Sequence, residues 1–230
     1  MKKLATILIA TALVALTASA AMASNSLRIS QVYGGGGSAS SGPTYNVDYV
    51  EIFNFSATAI SLSGYTIEYG SSTGNWGSSA GNIFTFPTNA SIAPCGYLLV
   101  ASSTASAGGG PLPITPDYTF TLNISATTGK VGLFNTVNSN VLCGAETGLL
   151  DKVSFGPSAT CAEVTPTAVL STTTGDVRNS GGMTDTDSNV ADFTVTANPV
   201  PHNAASGPNT ACQAVPTTKG TWGQLKSIYR

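Results

Sequence analysis

An alternating run near the start of the chain, YNVDYVEIFNF, constrains the fold more than any other feature. Within Val47–Phe55, the side chains of Val50 and Ile52 point to one side, and those of Glu51 and Phe53 point to the other. A period of two residues is typical of a β-strand. The pattern therefore predicts a strand that packs one face against a hydrophobic core.

Similar short segments follow along the chain, separated by clusters of Gly, Pro, Asn and Ser that favour turns. No segment before Thr221 shows the sustained period of a helix, and there is no internal repeat. This organisation is typical of an antiparallel β-sandwich. The predicted strands are Leu27–Tyr33, Val47–Phe55, Thr66–Tyr69, Asn82–Phe86, Gly96–Ala101, Tyr118–Leu122, Lys130–Thr136, Ser139–Cys143, Leu149–Phe155 and Asp192–Thr196.

Two long loops interrupt the predicted strands, Gly34–Thr44 and Ser102–Pro116. Loops at the ends of a sandwich are common binding surfaces. The first loop opens with four glycines, but neither a helix pattern nor a G-K-[ST] lysine follows, so a phosphate-binding loop is not indicated.

Several motifs resemble the lamin tail domain, in particular its secreted bacterial branch. They occur in order between Leu27 and Cys212, as LRISQVYGGGG, DYVEIFN, LSGY, PCGYLLV, LNIS, GKVGLFN and TDTDSNVADF. The resemblance implies an all-β fold, an immunoglobulin-like antiparallel β-sandwich, and a binding or structural module instead of a catalyst. Within the motif, Asp48, Glu51, Asn54 and Gly64 are interpreted as structural, with polar side chains that tie strand ends to turns.

Residues 1–23 are predicted to be a secretory signal. Lys2 and Lys3 precede an apolar run from Leu4 to Leu16, and Ala21-Met22-Ala23 is a small-x-small cleavage motif. Cleavage after Ala20 and a retained anchor are the alternatives. The apolar run is short and rich in Ala and Thr for a membrane span. The mature protein is therefore expected to be secreted or at the cell surface, with its sandwich domain in residues 24–213.

Charged residues make up only 9% of the chain. Without the signal, seven basic residues would remain against eleven acidic ones. Nucleic-acid binding requires clustered Lys and Arg, whereas the basic residues here are scattered singly. The composition therefore argues against nucleic acid as a partner. The partner expected of a lamin-tail-type module with exposed edge strands is an extracellular protein or glycan, or a second copy of the chain.

The four cysteines are even in number in an exported protein, which is typical of disulfides. Three pairings are open. We favour Cys143–Cys161, which closes a short loop, and Cys95–Cys212, which would fix the chain end to the sandwich. A four-cysteine metal site is the alternative, but the chain has no C-x-x-C pair.

The best metal candidate is a calcium loop formed by Asp185, Asp187, Asn189 and Asp192. Oxygen ligands at alternating positions can wrap around a hard cation such as Ca²⁺. However, Val190 and Thr196 stand where an EF-hand has its glycine and glutamate. A metal-free turn held by Asp and Asn side chains is the other interpretation, and no cofactor is otherwise required.

Catalysis has little support in the sequence. The only histidine, His202, lies among prolines and is expected to be a surface loop residue. The chain has no G-x-S-x-G motif and no protease-like cysteine signature. Tyr65, Tyr69 and Trp76 could form a carbohydrate-stacking face, although burial in the core is the alternative.

Residues 214–230 are predicted to be a linker and a short amphipathic tail. Trp222, Leu225 and Tyr229 would share one face of a helix and could dock on a partner, or pack on the sandwich itself. The sequence thus favours a non-catalytic module for structural or adhesive interaction. The alternative is an accessory or calcium-dependent component of a secreted hydrolase or nuclease system.

Overall fold

The computed structural model describes residues 26–39 and 42–212 and is built mainly from β-strands. These are β1 (Leu27–Tyr33), β2 (Tyr49–Asn54), β3 (Ile60–Ser61), β4 (Thr66–Ser71), β5 (Ile83–Thr85), β6 (Ser91–Ile92), β7 (Tyr97–Ser102), β8 (Tyr118–Phe120), β9 (Gly129–Phe134), β10 (Leu149–Phe155), β11 (Thr174–Arg178) and β12 (Phe193–Ala197). Helical structure is limited to one α-turn, α1 (Asn189–Asp192), and the 3-10 turns Ala80–Asn82, Asn179–Gly182 and Ala204–Ser206.

The strands form two main sheets. The six-stranded sheet has the order β12-β11-β1-β2-β7-β8, and the four-stranded sheet has the order β10-β9-β4-β5. Neighbouring strands are antiparallel except β7 and β8, which are parallel. The short strands β3 and β6 pair separately. The all-β, immunoglobulin-like sandwich predicted from the sequence is confirmed.

The main hydrophobic core lies between the two sheets. Its residues include Ile29, Val32 and Ile52 from the six-stranded sheet and Val131 and Leu133 from the four-stranded sheet, all fully buried. Ile29 and Val32 are three apart, yet both join the core because the β1–β2 register shifts between Ile29 and Gln31. In a regular strand, residues three positions apart point to opposite faces. The extra residue of this β-bulge changes the alternation, so that Val32 points to the same face as Ile29.

The predicted inward face of β2 is confirmed, since Val50 and Ile52 lie in the main core, but the opposite face is buried as well. Behind the six-stranded sheet lies a second cluster, formed by Tyr33, Tyr45, Tyr49, Leu99 and Ala101. Segments distant in sequence cover this outer face. One of them, residues 198–212, runs across the sheet after β12 and is called the strap below.

The strand predictions include one surplus strand and miss three. Ser139–Cys143 is not a strand, since only Val141 forms a bridge, with Trp76. The two-residue strands β3 and β6 were not predicted. β11 was not predicted either, because TGDVR places polar Asp176 and Arg178 at alternate positions that turn out to be buried.

No helix in the described part of the chain is long and apolar enough to cross a membrane. The predicted signal (residues 1–23) and the predicted tail with Trp222, Leu225 and Tyr229 lie outside the described residues.

Candidate functional site

The two loops identified in the sequence meet at one end of the sandwich. Backbone hydrogen bonds join them: Asn46 N donates to Gly110 O at 2.7 Å, Gly110 N to Thr44 O at 3.0 Å, and Ser106 N to Asn46 O at 3.0 Å. The loops therefore form one surface, with each loop supported by the other.

This surface contains two adjoining clefts. The first has a volume of ≈ 270 Å³ and is called the polar cleft; it is lined by Gly36, Val47, Asp48, Ser102, Ser103, Thr104, Ser106, Phe120, Thr121, Leu122 and Asn123. The second, of ≈ 420 Å³, is called the proline cleft; it is lined by Asn46, Val47, Ser102, Ala105 and residues 111–116, PLPITP. Val47 and Ser102 border both clefts.

The side chain of Asp48 accepts hydrogen bonds from two separate segments at the polar cleft. Its Oδ1 accepts the N–H of Gly36 at 2.7 Å, and its Oδ2 accepts the N–H of Ile124 at 2.8 Å. A Cβ atom at Gly36 would lie 2.1 Å from the carbonyl carbon of Val47, so only glycine allows this approach. Burial raises the pKa of Asp48 to about 6, although the backbone N–H donors act in the opposite direction. Asp48 thus joins the glycine loop to the segment that precedes Ser125.

Glu51 lies on the outer face of β2 and is almost completely buried. Because Ser30 is the extra residue of the β-bulge and Gln31 follows it, both side chains reach Glu51: Ser30 Oγ donates to Oε1 at 2.6 Å and Gln31 Nε2 to Oε2 at 3.2 Å. The backbone N–H of His202 also donates to Oε2, at 2.5 Å.

His202 lies in a loop at the surface, as expected, with 44% of its side chain exposed, but it also contacts the sheet. Its ring stacks on Tyr97 with centroids 4.5 Å apart, and its Nδ1 lies 3.3 Å from Glu51 Oε2. The hydrogen bond to Glu51 raises the pKa of His202, while partial burial opposes the shift. His202 therefore fastens the strap to the sheet.

Further contacts hold the strap along its length. Tyr45 Oη donates to Pro199 O at 2.8 Å, Asn203 Nδ2 to Thr115 O at 2.9 Å, and Ala204 N to Asp117 Oδ2 at 3.0 Å. Through Thr115 the strap also supports the wall of the proline cleft.

The remaining motif residues also have structural contacts. Asn54 Nδ2 donates to the carbonyls of Thr58 and Ala93 at 2.8 and 2.9 Å, which joins β2 to the turns around β3 and β6. Gly64 has φ of 76°, a left-handed conformation that favours glycine, in the turn before β4.

Both disulfides connect the pairs that we favoured. The Cys95–Cys212 bond joins the turn just before β7 to the end of the strap, with Cα atoms 5.6 Å apart. Cys143–Cys161 links the loops on either side of β10, with Cα atoms 5.3 Å apart.

Two residues of the calcium hypothesis, Asp185 and Asp192, contact a pair of buried arginines, Arg28 and Arg178. Arg178 Nη2 lies 2.6 Å from Asp151 Oδ2, and Arg178 Nη1 lies 3.4 Å from Asp185 and 3.7 Å from Asp192. Arg28 Nε pairs with Asp185 at 3.1 Å. Sequence reasoning missed the cluster, because Asp151 and Arg178 stand far apart in the chain and carry no motif.

Asp192 and Asn189, two of the candidate ligands, also accept hydrogen bonds from the protein. Asp192 accepts hydrogen bonds from the backbone N–H of Thr186 and Ser188, and Asn189 Oδ1 accepts from Ser154 N at 3.0 Å. Asp187 alone is exposed. Within residues 26–39 and 42–212, no group of three or more His, Cys, Asp or Glu side chains is placed to hold a metal ion.

We therefore expect the Asp185–Asp192 loop to act as a metal-free turn. Addition of Ca²⁺ or of a chelator should leave the melting temperature unchanged, because the carboxylates are already paired with arginines and backbone N–H groups. Differential scanning calorimetry of the mature protein checks this. A melting temperature that rises with calcium concentration would contradict it and restore the calcium site.

The aromatic residues proposed for sugar stacking do not form an exposed face. Trp76 is fully buried against Phe134, Tyr69 belongs to the main core, and Tyr65 is partly buried beside it. The core interpretation of these three residues is supported.

Five carboxyl groups have raised pKa values, those of Asp48, Glu68, Asp151, Glu163 and Asp176, and for three of them the raised value is about 6 to 8. Burial raises the pKa of Asp176 to about 7, against a hydrogen bond from Thr167, and burial together with the nearby Asp151 charge raises that of Glu163 to about 8. Asp48 is the third. Each group binds its proton more tightly in the folded chain than in the unfolded chain.

Stability should therefore fall as the pH rises from about 4 to 8, since the folded state holds more protons over this window. His202 acts in the same direction, because a raised histidine pKa stabilises the fold below about pH 6.5 and the effect is lost as pH rises through the folded pKa. Asp176→Asn should raise the melting temperature at pH 8 and flatten the pH profile. For a shift from 3.8 to about 7 the gain is at most about 4 kcal/mol.

Thermal unfolding between pH 4.5 and 8.5 measures this effect. Asp187→Asn is the matched control, since Asp187 is exposed and its backbone φ of 56° suits asparagine. If Asp176→Asn and Asp187→Asn gave the same profile, the buried charge at Asp176 would not control stability.

Two comparisons with known proteins bear on the fold. The family model described as Lamin Tail Domain matches residues 20–157, which include β1 to β10. A crystal structure of a DUF4876 family protein from Bacteroides thetaiotaomicron is similar with a TM-score of 0.51 and 16% identity. This similarity covers 81% of the present chain and 76% of the other, and at this identity it concerns the fold alone. No curated protein matches the chain.

Proposed function

Because the chain belongs to the lamin tail domain family, we propose that it is a secreted or cell-surface module that binds another molecule without catalysing a reaction. The observation that carries this proposal is the loop surface with its two adjoining clefts, supported by Asp48 and by the strap. A rigid scaffold that presents loops is a common design for recognition.

The two disulfides support an extracytoplasmic location, because such bonds persist in oxidising compartments. The charged groups nearest to a catalytic arrangement are Glu51 and His202. However, the Ser30 hydroxyl donates to Glu51 and not to the histidine, so the three do not form an activated nucleophile.

A cleft-filling substitution tests the proposal. Ser103 lies exposed in the lining of the polar cleft, and Ser103→Trp should occupy the cleft without disturbing the core. Labelled wild-type protein and variant are applied to cells of the producing organism, and the bound fraction is measured. We expect Ser103→Trp to lose most of the binding, whereas Thr88→Trp, on the exposed turn between β5 and β6, should retain it.

Equal binding by Ser103→Trp and wild type would overturn the role of the clefts. Hydrolase and nuclease assays of the purified protein, with and without divalent metal, test the absence of catalysis. Turnover of any substrate would favour the hydrolase or nuclease alternative.

A further inference from the structure

The polar cleft presents several polar side chains that have no hydrogen-bond partner among the described residues. Ser103, Thr104, Ser106, Thr121 and Asn123 line it, and none of these side chains makes a hydrogen bond with another described residue. Elsewhere, many serine and threonine hydroxyls on the described surface are engaged, such as Ser72 with Ser158 and Thr194 with Asn179. Hydroxyl and amide groups each donate and accept, so the cleft can satisfy ligand groups of both kinds.

The lining carries no positive charge and only one negative charge. No Lys, Arg or His lines the polar cleft, so a phosphate or carboxylate ligand would find no charged partner there. Asp48 is the one acidic residue, but both of its oxygens accept backbone N–H groups. A cation would have to displace these hydrogen bonds. The chemistry therefore favours a neutral ligand.

A small apolar floor accompanies the polar groups. Val47 is partly exposed there, whereas Phe120 and Leu122 are only 3% and 2% exposed and add little accessible surface. A ligand that fits has hydroxyl groups around its edge and a C–H face beneath, which describes a sugar ring. The volume of ≈ 270 Å³ lies just below the usual range for small-molecule sites, which begins at about 300 Å³.

We propose that the polar cleft is a binding site for a neutral saccharide. This inference rests on the proposed function and adds the ligand class. The proline cleft shares Val47 and Ser102 with the polar cleft and offers Leu112 and Ile114 as partly buried apolar contacts. A second sugar unit would extend into it, so disaccharides should bind more tightly than single sugars.

Nuclear magnetic resonance titration of the ¹⁵N-labelled mature protein tests the inference. The probes are glucose, galactose, mannose and N-acetylglucosamine, a disaccharide of each, galacturonate and glucosamine as charged analogues, and a proline-rich peptide. We expect at least one neutral sugar to shift the amide signals of residues 102–106 and 120–124, and its charged analogue to shift them less.

Substitutions then locate the contact. Thr121→Val preserves shape and removes one hydroxyl, and loss of one hydrogen bond of about 1 kcal/mol corresponds to roughly fivefold weaker binding. Thr88→Val is the matched control and should bind as wild type does. Both variants should keep the wild-type melting temperature, since Thr121 and Thr88 are exposed.

Three outcomes would overturn the saccharide site. The first is that no sugar shifts the amide signals of residues 102–106 and 120–124. The second is that charged analogues shift these signals as much as neutral sugars do. The third is that Thr121→Val and Thr88→Val weaken sugar binding equally. If the peptide alone shifted these signals, the ligand class would be wrong, while the role of the clefts would stand. The proposed function fails separately, when Ser103→Trp binds to cells as wild type does.

Discussion

Replacement of Cys95 and Cys212 by serine should lower the free energy of unfolding by about 5 kcal/mol, the largest effect that we expect from any change outside the core. The bond spans 117 residues of sequence, and a cross-link over so long a loop restricts the unfolded chain strongly in the entropic model. The second disulfide spans 18 residues, for which the same model gives about 3 kcal/mol.

Urea unfolding of Cys95→Ser/Cys212→Ser, Cys143→Ser/Cys161→Ser and wild type measures both effects without a reducing agent. The serine pair at Cys95 and Cys212 should also increase amide hydrogen exchange in the strap, because the end of the strap is then held only by hydrogen bonds such as Asn209 N to Cys95 O. A loss below about 1 kcal/mol for this pair would show that the long cross-link does not control stability.

Arg178→Met should destabilise the protein by about 3 to 5 kcal/mol, the cost of removing one partner from a buried ion pair. The guanidinium is completely buried, donates to Asp151 and to the carbonyls of Ile29 and Thr184, and lies 4.3 Å from the centre of the Phe193 ring. Methionine fills part of the space but leaves the Asp151 charge without this partner. Arg178 is the last residue of β11, the strand that joins β12 to β1 in the six-stranded sheet, so the packing of β11 and β12 should loosen first.

The matched control for Arg178→Met is Lys152→Met. The Lys152 ammonium is partly exposed and lies 3.7 Å from Glu146, so its loss should cost less than about 1 kcal/mol. A double-mutant cycle adds Asp151→Asn. If the buried charge is the cause, Arg178→Met should be much less damaging on the Asp151→Asn background. Equal costs on both backgrounds would assign the loss to packing.

Strands with a clear period of two could be predicted from the sequence. Val50 and Ile52 in β2 and Leu98 and Val100 in β7 lie in the core as alternation requires. β11 could not be predicted, because the side chains of Asp176 and Arg178 are buried on account of partners in other strands and loops. The alternation of apolar and polar residues predicts which apolar side chains are buried. It does not predict the burial of polar side chains that find partners only in the folded chain.

The candidate site was predicted only in outline. The two loops were recognised from their length and composition, but their contact depends on backbone hydrogen bonds between Thr44–Asn46 and Gly110. Serine and threonine occur throughout this chain, so no local signal distinguished Ser103 or Thr121. The partner of His202 is Glu51, 151 residues earlier, and prolines beside the histidine gave no indication of it.

The position of the Cys95–Cys212 bond also determines how the molecule would carry tension. A pull applied beyond Cys212 passes through the covalent bond to Cys95, at the start of β7, and does not peel the strap from the sheet. The chain from β7 to β12 is thereby a closed loop that bears no load. In an anchored protein, only the segment from β1 to β6 would stretch under force, while the strap would stay in the unloaded part. Both clefts would join a loaded wall, which contains Val47, to an unloaded wall, which contains Ser102.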